Sequence, residues 1–211
     1  MIPTKEEMQK ALEERHGKEI QNKFSKAVVA ICGLGGLGSN IAVSLARAGV
    51  GKLILIDFDK VDVTNLHRQQ YKACQVGMNK SDALKENLEE IAPYITTEVH
   101  CQKITEDNIE ALLGEADIIC EAFDKAEQKA MLVNYVLEKM PDKYLIAGSG
   151  MAGFGSVNSI KTRKLTKKFY LCGDEISDVD DNIGLVSSRV MLCAAHEAHT
   201  ALRILAGKFE V

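Results

Sequence analysis

The stretch from Ala27 to Gln70, AVVAICGLGGLGSNIAVSLARAGVGKLILIDFDKVDVTNLHRQQ, constrains this chain more than any other. A continuous apolar run over 27–32, of the kind a buried parallel strand shows, leads into Gly33-x-Gly35-x-x-Gly38. A helix is expected over 37–48, then a second strand over 52–56 that ends at Asp57. In such a unit Gly33 allows the tight turn, Gly35 lets the backbone approach a phosphate, and Gly38 lets helix and strand pack closely. Free N–H groups and the helix dipole favour negative charge at that helix N-terminus, while Asp57 is placed to accept hydrogen bonds from ribose hydroxyls. A glycine pattern alone can be a structural turn. Strand before, helix after and acid at this distance favour nucleotide binding.

By itself the turn fits a nicotinamide or flavin cofactor. The segment beyond it argues for more negative charge. Asn65, Arg68 and Gln69 form a polar, cationic cluster past Asp57, and Lys80 opens the next expected helix, 79–91. Glycine-turn amides suffice for a diphosphate, whereas a triphosphate calls for further cations and magnesium. The chain carries no G-x-x-x-x-G-K-[ST], which excludes a P-loop. Against these readings, solvation is the common fate of a single Arg or Lys, and Asp124 could simply cap the helix expected over 126–139. The carboxyl ends of strands are where ligands bind in such sheets, so Asp57, Asp124 and the Arg68 cluster are expected to converge there.

Elsewhere the pattern is strand three near 98–102, a helix over 106–114, strand four over 116–121 and strand five over 144–147. This alternation predicts an α/β, Rossmann-like fold: a largely parallel sheet with helices on both faces. Residues 156–172 suggest one or two strands, with an antiparallel arrangement open to them, 173–181 an acidic loop, and 185–205 a long apolar helix. An exposed amphipathic helix is expected over 5–24. At 211 residues one domain is expected, divided into the N-terminal helix 5–24, a nucleotide-binding core 26–150 and a C-terminal region 151–211. A net charge of −4 argues against nucleic acid as a partner. The absence of a long apolar run argues against a membrane span, and the charged first residues lack a signal-peptide core. A cytoplasmic location follows as an expectation. The six scattered cysteines form no C-x-x-C pair, so they are expected to be reduced and mostly packed as small hydrophobes.

GLGGLGSNIAVSLARAGVGKLILIDFDKVDVTNLHRQ closely resembles the signature of the ThiF/MoeB group, relatives of ubiquitin-activating enzymes. The resemblance is carried by Gly35-Gly36, the ARAGVG run from Ala46 to Gly51, Asp57 and Asp59, and N-L-x-R-Q from Asn65 to Gln69. It extends more loosely to Lys80, Asp124 and the last helix. It implies adenylation, with release of pyrophosphate, of the C-terminal glycine carboxylate of a ubiquitin-like sulfur carrier ending in Gly-Gly. It implies ATP bound by Gly33, Gly35, Gly36, Leu37, Gly38, Asp57, Asp59, Asn65, Arg68, Gln69 and Lys80, with Asp124 on magnesium. It implies catalytic roles for Arg68, Lys80 and Asp124, with Asn65, Arg68 and Lys80 balancing the charge that develops at the α-phosphorus. It also implies a homodimer in which Arg15 reaches the partner's site, with 151–211 serving carrier binding or dimerisation.

Many relatives carry two C-x-x-C pairs for zinc, so no structural zinc is expected here. The short zinc-less form implies a thiamine-pathway carrier. Cys172 is the candidate sulfur-transfer thiol, beside the acidic loop with Asp178, Asp180 and Asp181; a buried thiol is its alternative. Cys193, His196 and His199 diverge around a helix of 3.6 residues per turn, and a core or dimer face is preferred to a metal site. Alternatives within the same chemistry are a molybdopterin-pathway carrier or dehydration of a modified tRNA adenosine. From other classes come a nicotinamide oxidoreductase or redox sensor, which leaves Asn65, Arg68, Gln69 and Lys80 unexplained, and a non-catalytic scaffold, which would need none of Arg68, Lys80 and Asp124.

Overall fold

A computed structural model describes residues 2–178 and 184–211. Its strands are β1 (Val28–Cys32), β2 (Lys52–Ile56), β3 (Thr96–His100), β4 (Ile118–Glu121), β5 (Tyr144–Gly148), β6 (Lys161–Lys164) and β7 (Phe169–Gly173). They form one sheet in the order β3-β2-β1-β4-β5-β7-β6. Every pairing is parallel except β6 with β7, as the α/β Rossmann-like pattern with a C-terminal antiparallel strand predicts. The chain runs outward from β1 through β2 to β3, then crosses back to β4 on the other side of β1. That reversal opens a crevice at the carboxyl ends of β1 and β4.

Both faces of the sheet's centre are covered, which is why β1 and β2 read as apolar runs without alternation, while the outer strands β3 and β6 are polar. Val29 and Ile31 of β1 join one core with α3 (Gly36–Arg47), α4 (Lys80–Ile91) and α7 (Ser187–Leu205). Ala30 and Cys32 join the other, with α5 (Ile109–Leu113) and α6 (Ala126–Lys139). Burying each large aliphatic side chain contributes about 1.5–3 kcal/mol.

The N-terminal segment departs from the expected single helix over 5–24. It forms α1 (Lys5–His16) and α2 (Lys18–Phe24), broken at Gly17. There the backbone turns to a φ of 84°, and the Gly17 N–H closes the last turn of α1 on Glu13 O at 2.9 Å. Thr4 starts α1 with a reciprocal cap to Glu7. The expected strand 98–102 begins two residues earlier, because Thr96 N–H pairs with Gly51 O ahead of the β2 ladder.

Candidate functional site

The glycine turn sits in the crevice between β1 and β4. Gly33 has a φ of 92°, and a Cβ there would lie 2.8 Å from Ala122 O just beyond β4. A Cβ at Gly38 would fall 1.8 Å from Gly33 O, so the first turn of α3 rides directly on the strand end. At Gly36 it would meet Val190 Cγ1 of α7 at 2.8 Å and the Arg68 side chain at 3.5 Å. Gly35 is open by comparison, with Gln69 Nε2 as its nearest neighbour at 3.8 Å. Leu37 is buried behind the turn.

Asp57 closes the β2 side. Its Oδ2 accepts Leu34 N–H at 2.7 Å and its Oδ1 accepts Asp59 N–H at 2.7 Å. It is 8% exposed, and burial, partly offset by Lys80, pushes its carboxyl above the ordinary range. Lys80 is also buried and donates to Asp59 Oδ2 at 3.0 Å, which holds an ammonium at the edge of the pocket. Asn65 and Arg68 belong to the segment that follows. Arg68 Nη1 donates to Thr64 O at 3.2 Å, and the Asn65 side chain is half-buried.

Among the described residues, two atoms in this pocket are polar, buried and without a partner: Arg68 Nε and Gln69 Oε1. Buried polar atoms are normally satisfied. Here both belong to side chains lying against Gly35 and Gly36, so the pocket holds polar capacity its own chain does not consume. A nucleotide's phosphates and hydroxyls fit that capacity. Burial lowers the Arg68 guanidinium from its ordinary value while the charge of Asp124 raises it, so Arg68 and Asp124 feel one another. Asp124 is exposed. It does not cap α6, whose N-cap is Lys125 with no side-chain cap bond. The capping alternative for Asp124 therefore falls.

Gly33, Gly35, Gly36, Leu37, Gly38, Asp57, Asp59, Arg68, Gln69 and Lys80 are thus drawn to one edge of the sheet. Arg15 is not. It is exposed on α1, whose Leu12 packs against Gly49, past the far end of α3. Gln21 anchors the same corner by donating to Gly49 O, and its Oε1 pairs with His16 Nδ1. Within its own chain Arg15 is a helix length away from the glycine turn.

Cys172 is not at the site either. It lies in β7, fully buried, with its thiol 3.5 Å from Thr162 Oγ1. Burial, with a smaller contribution from Glu197, pushes that thiol up to about 12, and the thiolate is the nucleophilic form. The expectation of a sulfur-transfer thiol at 172 gives way to its alternative, a packed core residue. Cys193 is buried, and His196 Nδ1 pairs with Thr162 Oγ1 at 3.0 Å. Among the described residues no three His, Cys, Asp or Glu side chains are grouped to hold a metal. Asp174 is clasped by Arg189, and Asp180 and Asp181 lie outside the described residues.

The sequence profile of the ThiF family matches residues 8–211. The chain belongs to the ThiF family. Its similarity to the adenylyltransferase and sulfurtransferase MOCS3 of Aedes aegypti is 36% identity over 137 residues, 64% of this chain and 31% of that protein. With the ubiquitin-like modifier-activating enzyme 5 of Caenorhabditis briggsae it shares 30% over 194 residues, 85% of this chain and 43% of that one. This ThiF-family chain therefore spans less than half the length of these curated relatives. In fold it is similar to E. coli tRNA N6-threonylcarbamoyladenosine dehydratase TcdA, solved with ATP, at a TM-score of 0.86 and 21% identity over 99% of this chain and 98% of that one. E. coli MccB, solved with ATP, is similar over 90% of this chain and 59% of that one, at a TM-score of 0.69 and 25% identity.

Three contributors were not singled out from sequence. Val190 of α7 backs Gly36. Tyr71 is buried and donates its hydroxyl to Leu34 O at 2.7 Å, steadying the turn. Glu197 of α7 is fully buried with both oxygens unpartnered among the described residues, and a Cβ at Gly148 would lie 2.7 Å from its Oε1. A signal for Glu197 existed: it falls on the α7 face with Val190, Cys193, Ala194 and Ala201, all buried.

Proposed function

We propose that this ThiF-family chain is an ATP-dependent adenylyltransferase acting on the C-terminal glycine of a ubiquitin-like sulfur carrier ending in Gly-Gly, with a thiamine-pathway carrier as substrate. The observation that carries the reading is the pocket of Gly35, Gly36, Arg68, Gln69 and Lys80, where a guanidinium and a buried ammonium flank a glycine turn and two polar atoms remain unused. The names of MOCS3 and of the modifier-activating enzyme support the reaction class.

In this reading Gly35 and Gly36 admit the phosphates and Asp57 holds the ribose. Asn65, Arg68 and Lys80 balance the charge that builds as the carboxylate attacks the α-phosphorus in line and pyrophosphate leaves. Positioning and electrostatics suffice for such a transfer, and no side-chain nucleophile takes part. Asp124 would hold magnesium, which would supply further neutralisation there, in keeping with a cation that usually takes one or two protein carboxylates. No structural zinc is proposed. The reading includes a homodimer, with Arg15 acting across it and 151–211 as the carrier and dimer region, and a cytoplasmic location; no helix among the described residues is long and apolar enough to cross a membrane.

The test is ATP–pyrophosphate exchange with magnesium, with and without a Gly-Gly carrier. Exchange that requires the intact carrier tail, and that Arg68→Ala or Asp124→Ala abolishes in a folded protein, supports the reading. Full exchange in either variant would overturn the residue roles. ATP binding without exchange would move the substrate to a molybdopterin-pathway carrier or a modified tRNA adenosine. Nicotinamide binding without ATP binding would restore the oxidoreductase.

A further inference from the structure

Arg68 and Gln69 sit on a segment outside the sheet, so something other than a strand ladder must fix their backbone. Every buried peptide group needs a partner; the N–H groups of Arg68 and Gln69 turn back onto Asn65 O at 3.1 Å, and the groups that follow are partnered by side chains. Asn40, 6% exposed in the second turn of α3, donates from Nδ2 to Gly36 O at 2.7 Å and to Arg68 O at 3.1 Å. Its Oδ1 accepts from Gln70 Nε2 at 2.7 Å. The adjacent Ser39 Oγ, fully buried, donates to Gly35 O at 2.6 Å and accepts the Gln70 N–H at 3.1 Å. Asn87 of α4 then donates to Gln70 O at 2.8 Å. Three consecutive peptide units, 68–69, 69–70 and 70–71, are therefore each held by a different side chain.

We infer that Ser39 and Asn40 are positioning residues that lock the Arg68–Gln69 segment to the carbonyls of Gly35 and Gly36, so that the guanidinium and the glycine turn face the ATP phosphates as one preset unit. The geometry is specific. Gly35 and Gly36, which line the pocket, turn their carbonyl oxygens to Ser39 and Asn40, and the same two side chains hold Arg68 O and Gln70 N–H. A segment free of these bonds would have to be ordered when the nucleotide binds, and that entropy would be subtracted from affinity. Neither residue touches the nucleotide in this scheme; both act through Arg68 and Gln69. The inference rests on the adenylyltransferase reading for the identity of the ligand, and on nothing in that reading about the carrier.

The test is a double-mutant cycle on ATP affinity, measured by calorimetric titration with wild type, Asn40→Ala, Arg68→Ala and the pair. Asn40→Ala is expected to weaken ATP about fivefold to twentyfold. The pair is expected to lose much less than the product of the two single losses, since with Arg68 gone only Gln69 and the glycine turn are left for Asn40 to position. A general loss of packing would instead multiply the two effects. Ser39→Ala, which removes one hydroxyl and little volume, provides the second variant if Asn40→Ala unfolds; its expected loss is about twofold to fivefold, again reduced in the Arg68→Ala background. Wild-type affinity in the single variants, or multiplied losses in the pairs, would overturn the inference. ATP binding that shows this coupling in a protein that adenylates no carrier would uphold the inference while refuting the carrier assignment.

Discussion

Replacing Glu197 with glutamine should make stability less dependent on pH, in a direction that follows from where the carboxyl sits. The side chain is 0% exposed and neither oxygen has a hydrogen-bond partner among the described residues. The groups that face it are Lys129 and Glu121, which pair with each other at 2.7 Å, and the buried thiols of Cys120, Cys172 and Cys193. Burial is the dominant influence, the attraction of Lys129 is the smaller one, and the Glu197 carboxyl is held well above the ordinary glutamate value. In the unfolded chain the same group ionises from the ordinary value upward. Between those two values the folded state binds the extra proton, so stability is fully present below the unfolded value and falls as pH rises. Each pH unit of that window costs about tenfold in the folded-to-unfolded ratio, roughly 1.4 kcal/mol, against a total of about 5–15 kcal/mol. The amide of the Glu197→Gln variant cannot ionise and escapes the penalty. Urea unfolding of both proteins at about pH 5.5, 6.5, 7.5 and 8.5 should therefore show the variant gaining on wild type as pH increases. Asp57 and Glu121, also pushed up by burial, tilt both proteins alike and largely drop out of the difference. A gap that stays constant or closes with rising pH would mean that the folded carboxyl is ionised and partnered, and would refute the reasoning.

Other perturbations address single contacts. Gly36→Ala should cost about 1–3 kcal/mol by overpacking, because its Cβ would meet Val190 Cγ1 at 2.8 Å; adding Val190→Ala should recover part of the loss in denaturant titrations, and no recovery would show that the clash lies elsewhere. Thiol labelling of the native protein should modify Cys74 and Cys101 quickly and the other four only on unfolding; rapid modification of Cys172 would restore it as a candidate nucleophile. Arg189 is 4% exposed, donates to Ala152 O, Gly155 O and Ser156 O and pairs with Asp174, so Arg189→Ala should destabilise by about 3–5 kcal/mol. An unchanged melting temperature would contradict that role.

How far this was legible in the sequence depends on the range of the interaction involved. The glycine turn, Asp57 and the strands around them are local: a run of apolar residues, a turn and an acid announce themselves within about forty residues, and β1, α3 and β2 fall where their pattern puts them. The tail 156–172 reads as strands, and β6 and β7 lie there, antiparallel to each other. Helix α1 ends early because Gly17 offers a positive φ that an amphipathic pattern does not register. Val190 behind Gly36 could not be read at all, since nothing at position 36 encodes which distant helix covers it. Cys172 is a similar case, because a strand beside an acidic loop looks alike in sequence whether its thiol points to solvent or core. Lys80 is found from its place at the head of α4, but its commitment to Asp59 is a tertiary fact.

The contact between Gly36 and Val190 also sets an order of events during synthesis. The ribosome delivers the glycine turn early and the helix that backs it late. At about 5–20 residues per second, roughly eight to thirty seconds separate residue 36 from residue 190. Throughout that interval Leu37, Ile41 and Leu45 of α3 lack the α7 members of the core they share, Val190, Cys193 and Ala194 among them. The nascent protein carries its glycine turn long before it has the wall that backs it. Transiently exposed apolar surface of this kind favours aggregation, so the glycine turn passes its most vulnerable interval before α7 is made.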